Sequence, residues 1–357
     1  MSEPKTTPER MRAWRVHAYG EDPTTTLKLD EVPVPTPEAG EILVRVQAVP
    51  LNLNDLERVT GRNMMVRPEL PCIPGMEVMG VVEQGGAGVE SWQGRRVVAV
   101  PKQAHGGFAE YAVCPVVSAF EMPESVPLPG AAAIYFPFHL AWLGLFDRAD
   151  LQAGESVLIH AAAGGAGSAA VQLAVQAGAR VIATVGSDDK AGLCRELGAE
   201  VVINYQTEDF LPVVLEQTGG RGVDVVFDNV GEAVMEKSIK AIAYNGRYVM
   251  NGFASDKSHA DEKLIVPRSV SAGNFRLCGV LLAYADDQTA PLFKQAMGWN
   301  FVSNVIGERI TQELVERVLD GRIRPVLGQV VGFDELPAAL EAMRDRRTVG
   351  RTVCVVD

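Results

Sequence analysis

The stretch Glu155 to Lys190, ESVLIHAAAGGAGSAAVQLAVQAGARVIATVGSDDK, decides how the rest of the chain is read. An apolar run, SVLIH, enters a cluster of glycines and alanines. An alanine-rich segment, SAAVQLAVQAG, follows, and a second apolar run, RVIATV, closes the stretch. Runs rich in Val and Ile suit strands buried on both faces, and the segment between them suits a helix. Strand, tight turn, helix and strand together make a βαβ unit, and small residues at its turn let the backbone approach a phosphate closely while the helix offers its unbonded N–H groups. Aligned on its last glycine, AAGGAG reads Ala162-x-Gly164-x-x-Gly167, the dinucleotide pattern with alanine in place of the first glycine and an extra glycine at Gly165. Ala163, Gly164, Gly165, Ala166 and Gly167 are therefore expected to cradle a pyrophosphate.

The end of the second strand selects the dinucleotide. A site that prefers NAD places a carboxylate about 20 residues past the first glycine, where it accepts hydrogen bonds from the ribose. This chain has Val185 and Gly186 near that register, then Ser187 and Lys190. A hydroxyl and an ammonium suit a 2′-phosphate that a carboxylate would repel, so NADPH is the expected cofactor. Asp188 and Asp189 oppose this unless they cap the next helix and point away. Tyr205, after the third strand, either covers the adenine or packs at a sheet edge.

Outward from this unit, the apolar runs EVVINY, VDVVFDNV, GRYVMNGF and FRLCGVLL alternate with helix-capable segments. The spacing predicts an α/β fold with a doubly wound parallel sheet. From Arg12 to about Gly130 the rhythm differs: short valine-rich runs separated by Pro and Gly, such as EILVRVQAV, EVMGVVEQ, RRVVAV and FAEYAVCP, predict an irregular β domain. NLNDLERVTG interrupts it with one or two helical turns. A helix-capable region from Gln288 to Gly321 precedes an ending that reads strand, capped helix, strand, with TVCVVD as the strand that closes a sheet.

Composition excludes several classes. The chain has 357 residues, 47% hydrophobic and 22% charged, as in a folded globular protein. With 45 acids against 33 bases, a formal charge of −12 and no Lys/Arg block, it would repel a nucleic-acid backbone. No uninterrupted apolar span suits a membrane helix. The N-terminus, MSEPKTTPERMRAW, reads as a polar lead-in, and five cysteines without a C-x-x-C read as reduced thiols of a cytoplasmic protein.

Candidates for chemistry are few. The five histidines, His17, His105, His139, His160 and His259, show no metal-ligand spacing, so no metal is expected. His160 reads as a strand-end residue, while His105, in PKQAHGGFAEY, either faces a substrate or is an exposed loop residue. No G-x-S-x-G elbow is present. Asn52 and Asp55 in NLNDLERVTG form the nearest polar pair with a catalytic job; three residues apart, they share a helical face, order a substrate loop or cap the turn. Hydride chemistry asks for orientation and polarisation more than for a strong acid.

From Met11 to Val356 the chain resembles the zinc-free quinone oxidoreductase branch of the medium-chain dehydrogenase/reductase superfamily. The resemblance rests on NLNDLERVTG, PCIPGMEVMGVVEQGGAGV, GGFAEYAV, VLIHAAAGGAGSAAVQLA, GVDVVFDNVG and IRPVLGQVVGFDELPAALEAMRDRRTVGRTVCVV. It implies a Rossmann sheet at 132–309 inserted into a GroES-like β domain at 1–131 and 310–357, with the substrate cleft between them. It implies homodimers through the edge strand FRLCGVLL, a pyrophosphate turn at Gly164, Gly165 and Gly167, and an adenosine phosphate end at Ser187, Lys190 and Tyr205. It further implies Asn229 and Gly252 near the nicotinamide, Arg351 in place of a frequent lysine, and Asn52 at the cleft. Zinc-dependent relatives carry a metal-binding histidine where this chain has Met76. Members commonly show a tyrosine and an arginine where this chain has Glu57 and Val59. Leu140, Ala141 and Trp142, preceded by IYFPFH, replace a common threonine-alanine-tyrosine, and the aromatic groups there either shape the site or lie in the core. The implied activity is NADPH-dependent reduction of a quinone or small conjugated carbonyl. The alternatives are a 2-alkenal or enoyl-thioester reductase, a metal-free alcohol or aldehyde oxidoreductase, and a non-catalytic NADPH-binding sensor or structural protein.

Overall fold

The computed structural model of the chain describes residues 7–62, 67–252 and 267–356. Phe253, His259 and most of the segment ASDKSHADEKLIVPRSV lie outside the described residues. The chain divides into two compact units, one formed by the described residues through Ala133, Ala283–Thr311 and those from Leu327 onward, the other by Ile134–Leu282 and Gln312–Val326.

The first unit opens with β1 (Arg10–Val16), the short α1 (Pro23–Thr26) and β2 (Leu27–Pro33), β1 and β2 pairing antiparallel. Then come β3 (Glu41–Pro50), α2 (Leu53–Thr60), β4 (Val78–Gly85), β5 (Arg96–Ala99), β6 (Tyr111–Pro115) and β7 (Ala119–Glu121). The second unit begins with α3 (Tyr135–Trp142) and then alternates. Its elements are β8 (Ser156–Ile159), α4 (Gly165–Gln176), β9 (Arg180–Val185), α5 (Asp188–Glu196), β10 (Val201–Asn204) and α6 (Phe210–Gln217). They continue with β11 (Val223–Asp228), α7 (Glu232–Ala241), β12 (Ile242–Met250), α8 (Pro267–Gly273) and β13 (Arg276–Gly279). The chain returns to the first unit with β14 (Tyr284–Ala285), α9 (Ala290–Met297), β15 (Val302–Ser303) and the start of α10 (Asn304–Leu319). It ends with β16 (Leu327–Gly332), α11 (Leu336–Arg344) and β17 (Arg351–Val355).

The second unit's sheet has the order β10-β9-β8-β11-β12-β13, with every neighbouring pair parallel. The order reverses between β8 and β11, and ligands of such sheets bind beyond the carboxyl ends of the strands at that reversal. Its core gathers Leu158, Ile182, Val226, Tyr248 and Phe275. In the first unit, β17 pairs antiparallel with β3 and parallel with β16, so the last strand joins the sheet that the N-terminal segment begins but does not close it; β16 forms the edge beyond it. Ile42, Val44, Leu51, Phe108, Leu336 and Cys354 fill the core behind it.

The region Gln288 to Gly321 forms two helices rather than one, because Gly298 at φ +74° ends α9. Residues 283–311 also group with the first unit rather than with the parallel sheet, and 312–326 do the reverse. Packing explains both. Tyr284 meets Phe120 edge-on at 5.1 Å, while Gln172 on α4 exchanges hydrogen bonds with the backbone of Arg324 at 3.0 and 2.8 Å. Among the described residues, no helix is long and apolar enough to cross a membrane.

Candidate functional site

The turn after β8 is built as its small residues dictate. The chain reverses at Ala161, whose φ of +51° lies in the left-handed region, one residue before Ala162, where the pattern expects its first glycine. Ala162 N–H donates to Thr184 O on β9 at 3.0 Å, and Gly164 N–H closes the turn on Ala161 O at 3.0 Å. Gly164 is the N-cap of α4 and has no side chain to cap it. The N–H groups of Gly165, Ala166 and Gly167 thus open the helix without intrahelical acceptors, at its positive dipole end. Gly167 serves the packing of the helix instead. A Cβ there would lie 2.2 Å from Ala161 O and 2.7 Å from Ala162 Cα, so its missing side chain lets α4 sit on the turn. Ala163 is buried under the turn at 4% exposure, which leaves Gly164, Gly165 and Ala166 as its lip.

At the end of β9, Ser187 caps α5, its hydroxyl accepting the Lys190 N–H at 3.4 Å. The cap is Ser187 and not the Asp188–Asp189 pair; Asp188 instead accepts from Asn204 Nδ2 at 2.9 Å, turned toward β10. Lys190 is half-buried. Tyr205 is 44% exposed, and its hydroxyl would lie 2.6 Å from a Cβ built on Gly186, so a side chain there would displace that ring.

The carboxyl ends of β8, β11 and β12 meet through amides. Asn229 Nδ2 donates to His160 O at 2.9 Å, Asn251 Nδ2 donates to Asn229 Oδ1 at 2.7 Å, and Gly252 approaches so closely that a Cβ would fall 1.9 Å from Asn229 C. Below them His160 is buried, its ring nitrogens 3.0 Å from Thr184 Oγ1 and 2.8 Å from Ser238 Oγ. Burial pulls this imidazole down to about 3, so it is neutral. Ser238 donates to Val234 O at 2.8 Å, so it accepts from His160 Nε2–H, and Thr184 donates to Nδ1. Tyr248 O–H donates to Asp228 Oδ2 at 2.6 Å, while Asp228 Oδ1 accepts the N–H groups of Val230 and Gly231 at 2.7 and 2.9 Å. Burial raises the Asp228 carboxyl and, with Asp228 beside it, the Tyr248 hydroxyl.

In the first unit, Asn52 and Asp55 sit at the start of α2, and both are buried. Asp55 Oδ2 accepts the Asn52 N–H at 2.8 Å, and Oδ1 accepts the Met76 N–H at 3.1 Å. Burial raises its pKa against the pull of Arg58 and these two amides. The Asn52 side chain faces away from the helix: Nδ2 donates to Pro50 O and Glu77 Oε2, each at 3.2 Å, and Oδ1 accepts from Arg351 Nη1 at 2.8 Å. Arg351 Nη2 also pairs with Glu77, which is fully buried. Asp55 at 0% exposure and Arg351 at 6% are therefore enclosed by the first unit's own backbone and side chains, where the sequence expects them to meet substrate and cofactor.

Residues 165–299 match the family described as zinc-binding dehydrogenase, and residues 38–124 match the alcohol dehydrogenase GroES-like domain. The chain is 32% identical over 243 residues to the quinone oxidoreductase of Sus scrofa, covering 68% of this chain and 73% of that one. It is 30% identical over 330 residues to the quinone oxidoreductase-like protein 2 of Bos taurus, covering 92% and 88%. The chain belongs to the quinone oxidoreductase-like branch of the medium-chain dehydrogenase/reductase superfamily. Escherichia coli quinone oxidoreductase complexed with NADPH superposes on this family member with a TM-score of 0.84 at 25% identity, covering 96% of this chain and 99% of the other.

The zinc in one family description finds no donor set among the described residues of this quinone oxidoreductase-like chain. Among the described residues, no group of three or more His, Cys, Asp or Glu side chains is placed to hold a metal. Met76, where zinc-dependent relatives carry histidine, is buried with its sulfur 3.9 Å from Arg58 Nη1. A dinucleotide fits: the turn leaves backbone open at Gly164 to Ala166, and only the close contact at Gly167 would reject a side chain on steric grounds. Sequence reasoning missed Glu77, Arg58, Thr184, Ser238 and Tyr248. Thr184 carries a faint signal as the one hydroxyl in RVIATV; the others are ordinary polar residues until the fold brings them together.

Proposed function

We propose that this protein reduces a quinone or a small conjugated carbonyl with NADPH. The observation that carries the reading is the small-residue lip of Gly164, Gly165 and Ala166, followed along the sheet edge by Ser187 and Lys190 with Asp188 turned to Asn204. Gly165, Ala166 and Gly167 N–H groups would hold the pyrophosphate. Ser187, Lys190 and Tyr205 would receive the 2′-phosphate and adenine, and Asn229 and Gly252 would border the nicotinamide side. NADPH, when bound, supplies a hydride. Acceptance of that hydride leaves one negative charge on a substrate oxygen, and one proton from water completes the neutral product. The protein's part is to orient the substrate and to stabilise that oxygen with fixed donors.

In this reading Asp55 and Asn52 position α2 instead of reacting, since their polar atoms already hold backbone and neighbouring side chains. The β-rich first unit, with residues 283–311 and those from Leu327 onward, serves as the substrate domain. The chain forms a homodimer through β13, the half-exposed edge of the parallel sheet. Five free cysteines favour a reducing, cytoplasmic setting.

NADPH consumption measured with quinones, 2-alkenals, enoyl thioesters and aldehydes, with product identification, tests the proposal. Consumption with a quinone or conjugated carbonyl supports it. NADPH binding without consumption across the panel overturns it in favour of a cofactor-binding protein.

A further inference from the structure

Three residues, each one position past the end of its strand, stand in a row across the parallel sheet of the second unit: His160 after β8, Asn229 after β11 and Asn251 after β12. The His160 carbonyl can only accept, so Asn229 turns its nitrogen toward it, with Nδ2 2.9 Å from the oxygen. That leaves Asn229 Oδ1 facing Asn251, which must answer with its own Nδ2, at 2.7 Å. The reverse orientation of Asn251 would set two oxygens against each other. Backbone holds the same pair: the Asn251 N–H donates to Asp228 O at 3.2 Å, and Gly252 lies so close to Asn229 that a Cβ would fall 1.9 Å from its carbonyl carbon. One strand-end carbonyl therefore fixes both amides, and the row ends in an acceptor, Asn251 Oδ1.

That acceptor is unused. Asn251 is half-buried as a residue, yet its Oδ1 is enclosed and meets no donor among the described residues. Buried polar atoms are paired in the great majority of cases, and one left unpaired carries the full cost of its lost hydration. This exception stands at the carboxyl ends of parallel strands, next to the reversal of strand order, where such sheets bind ligands. A neutral amide oxygen in that place calls for an N–H or O–H and gives no hold to an anion.

The row also runs in the direction of the expected cofactor. Ser187 and Lys190 follow β9, the pyrophosphate turn follows β8, and β11 and β12 come next in the sheet. His160 directly precedes Ala161 of the turn, and Asn251 stands two strands further on, roughly 10 Å at the usual strand spacing. A dinucleotide whose adenosine end lies at β9 and whose pyrophosphate lies at the turn brings its second ribose toward β11 and its nicotinamide ring toward β12. The donor at that far end is the carboxamide N–H2. The ribose hydroxyls lie nearer the turn.

We propose that Asn251 Oδ1 accepts the carboxamide N–H of the nicotinamide and so sets the rotation of the ring. The inference rests on the NADPH reading and adds to it the residue that orients the cofactor's reactive end. Binding exchanges the packing around this oxygen for a donor. Because Asn251 is locked through Asn229 to His160 O, the ring is oriented from the same strand end that carries the pyrophosphate turn.

The test is titration calorimetry of the full chain with three oxidised dinucleotides: NADP⁺, its thionicotinamide analogue, which keeps the N–H2, and its 3-acetylpyridine analogue, which has a methyl group there. The wild type is expected to bind NADP⁺ roughly 5- to 150-fold more tightly than the acetylpyridine analogue, as for an enclosed acceptor left unpaired, and the thionicotinamide analogue should follow NADP⁺. In Asn251→Ala the gap between NADP⁺ and the acetylpyridine analogue should close. Equal affinities in the wild type, a gap that survives in Asn251→Ala, or an equal loss for all three dinucleotides in that variant overturns the proposal. If the variant does not fold, a crystal of the wild type with NADP⁺ decides: the carboxamide nitrogen within hydrogen-bond distance of Asn251 Oδ1 supports the proposal, and the nitrogen elsewhere overturns it. A wild type that binds none of the three overturns the NADPH reading itself, whereas binding without discrimination overturns only the role of Asn251.

Discussion

Two glycines three residues apart in the turn before α4 should fail in opposite ways when each is changed to alanine. At Gly167 the new methyl carbon would lie 2.2 Å from Ala161 O and 2.7 Å from Ala162 Cα, both backbone atoms that cannot rotate away. Overpacking of this kind costs about 1–3 kcal/mol, and for a unit of this size that lowers Tm by roughly 2–12 °C. At Gly164 the nearest atom to a Cβ is Ala161 O at 3.3 Å, and the φ of −78° suits alanine. Gly164→Ala should therefore melt within about 2 °C of the wild type. Its methyl group, however, stands on the lip where the pyrophosphate is expected. The same steric cost applied there weakens NADPH roughly 5- to 150-fold. Differential scanning calorimetry gives the first quantity and titration calorimetry with NADPH the second. A Gly164→Ala protein that binds NADPH as tightly as the wild type refutes the placement of the pyrophosphate, whatever Gly167→Ala does.

Lys190→Gln should weaken NADPH roughly 10- to 150-fold and leave NADH nearly unchanged, as for one charge-assisted bond to a 2′-phosphate; fluorescence titration with both cofactors checks this, and equal losses for the two would count against it. Ala161→Gly removes a left-handed alanine at φ +51° and should raise stability by about 0.5–1 kcal/mol, less the entropy that glycine adds to the unfolded chain; a fall in Tm would show that the turn is not strained. Acid should destabilise the fold through His160, held down to about 3 by burial against an ordinary 6.5. The unfolded chain takes up this proton below 6.5 and the folded chain does not until about 3, so stability present above 6.5 is lost as pH falls through that window, by up to about 1.4 kcal/mol per pH unit. His160→Gln should flatten the Tm-versus-pH curve there, and parallel curves would contradict the assignment.

What the sequence reveals and what it hides follow from range. The βαβ turn is legible because strand, small-residue cluster and helix are contiguous, and local sterics fix their order. The spacing of Asn52 and Asp55 is equally plain, yet their role is not. Whether Asp55 faces a substrate or an amide depends on Met76, which the loop before β4 brings to it from 21 positions away. Glu77 and Arg351 stand 274 positions apart and meet only because β17 pairs with β3 and β3 with β4. Neither carries a local pattern. The grouping of 283–309 with the first unit is hidden for a similar reason: nothing near Tyr284 in sequence announces that its ring packs on Phe120. Arg58 is hidden differently, since a lone arginine on a short helix looks solvated until its burial is known.

The central claim is that the backbone at the mouth of α4 grips a dinucleotide diphosphate. Selective ¹⁵N labelling of glycine and alanine, with amide shifts followed as NADPH is added, tests it at the atoms concerned. The amides of Gly165, Ala166 and Gly167 should move together and saturate with the binding constant, while Gly88, on a turn of the first unit, stays still. Saturable binding that leaves those three amides unmoved, or no binding at all, contradicts the account.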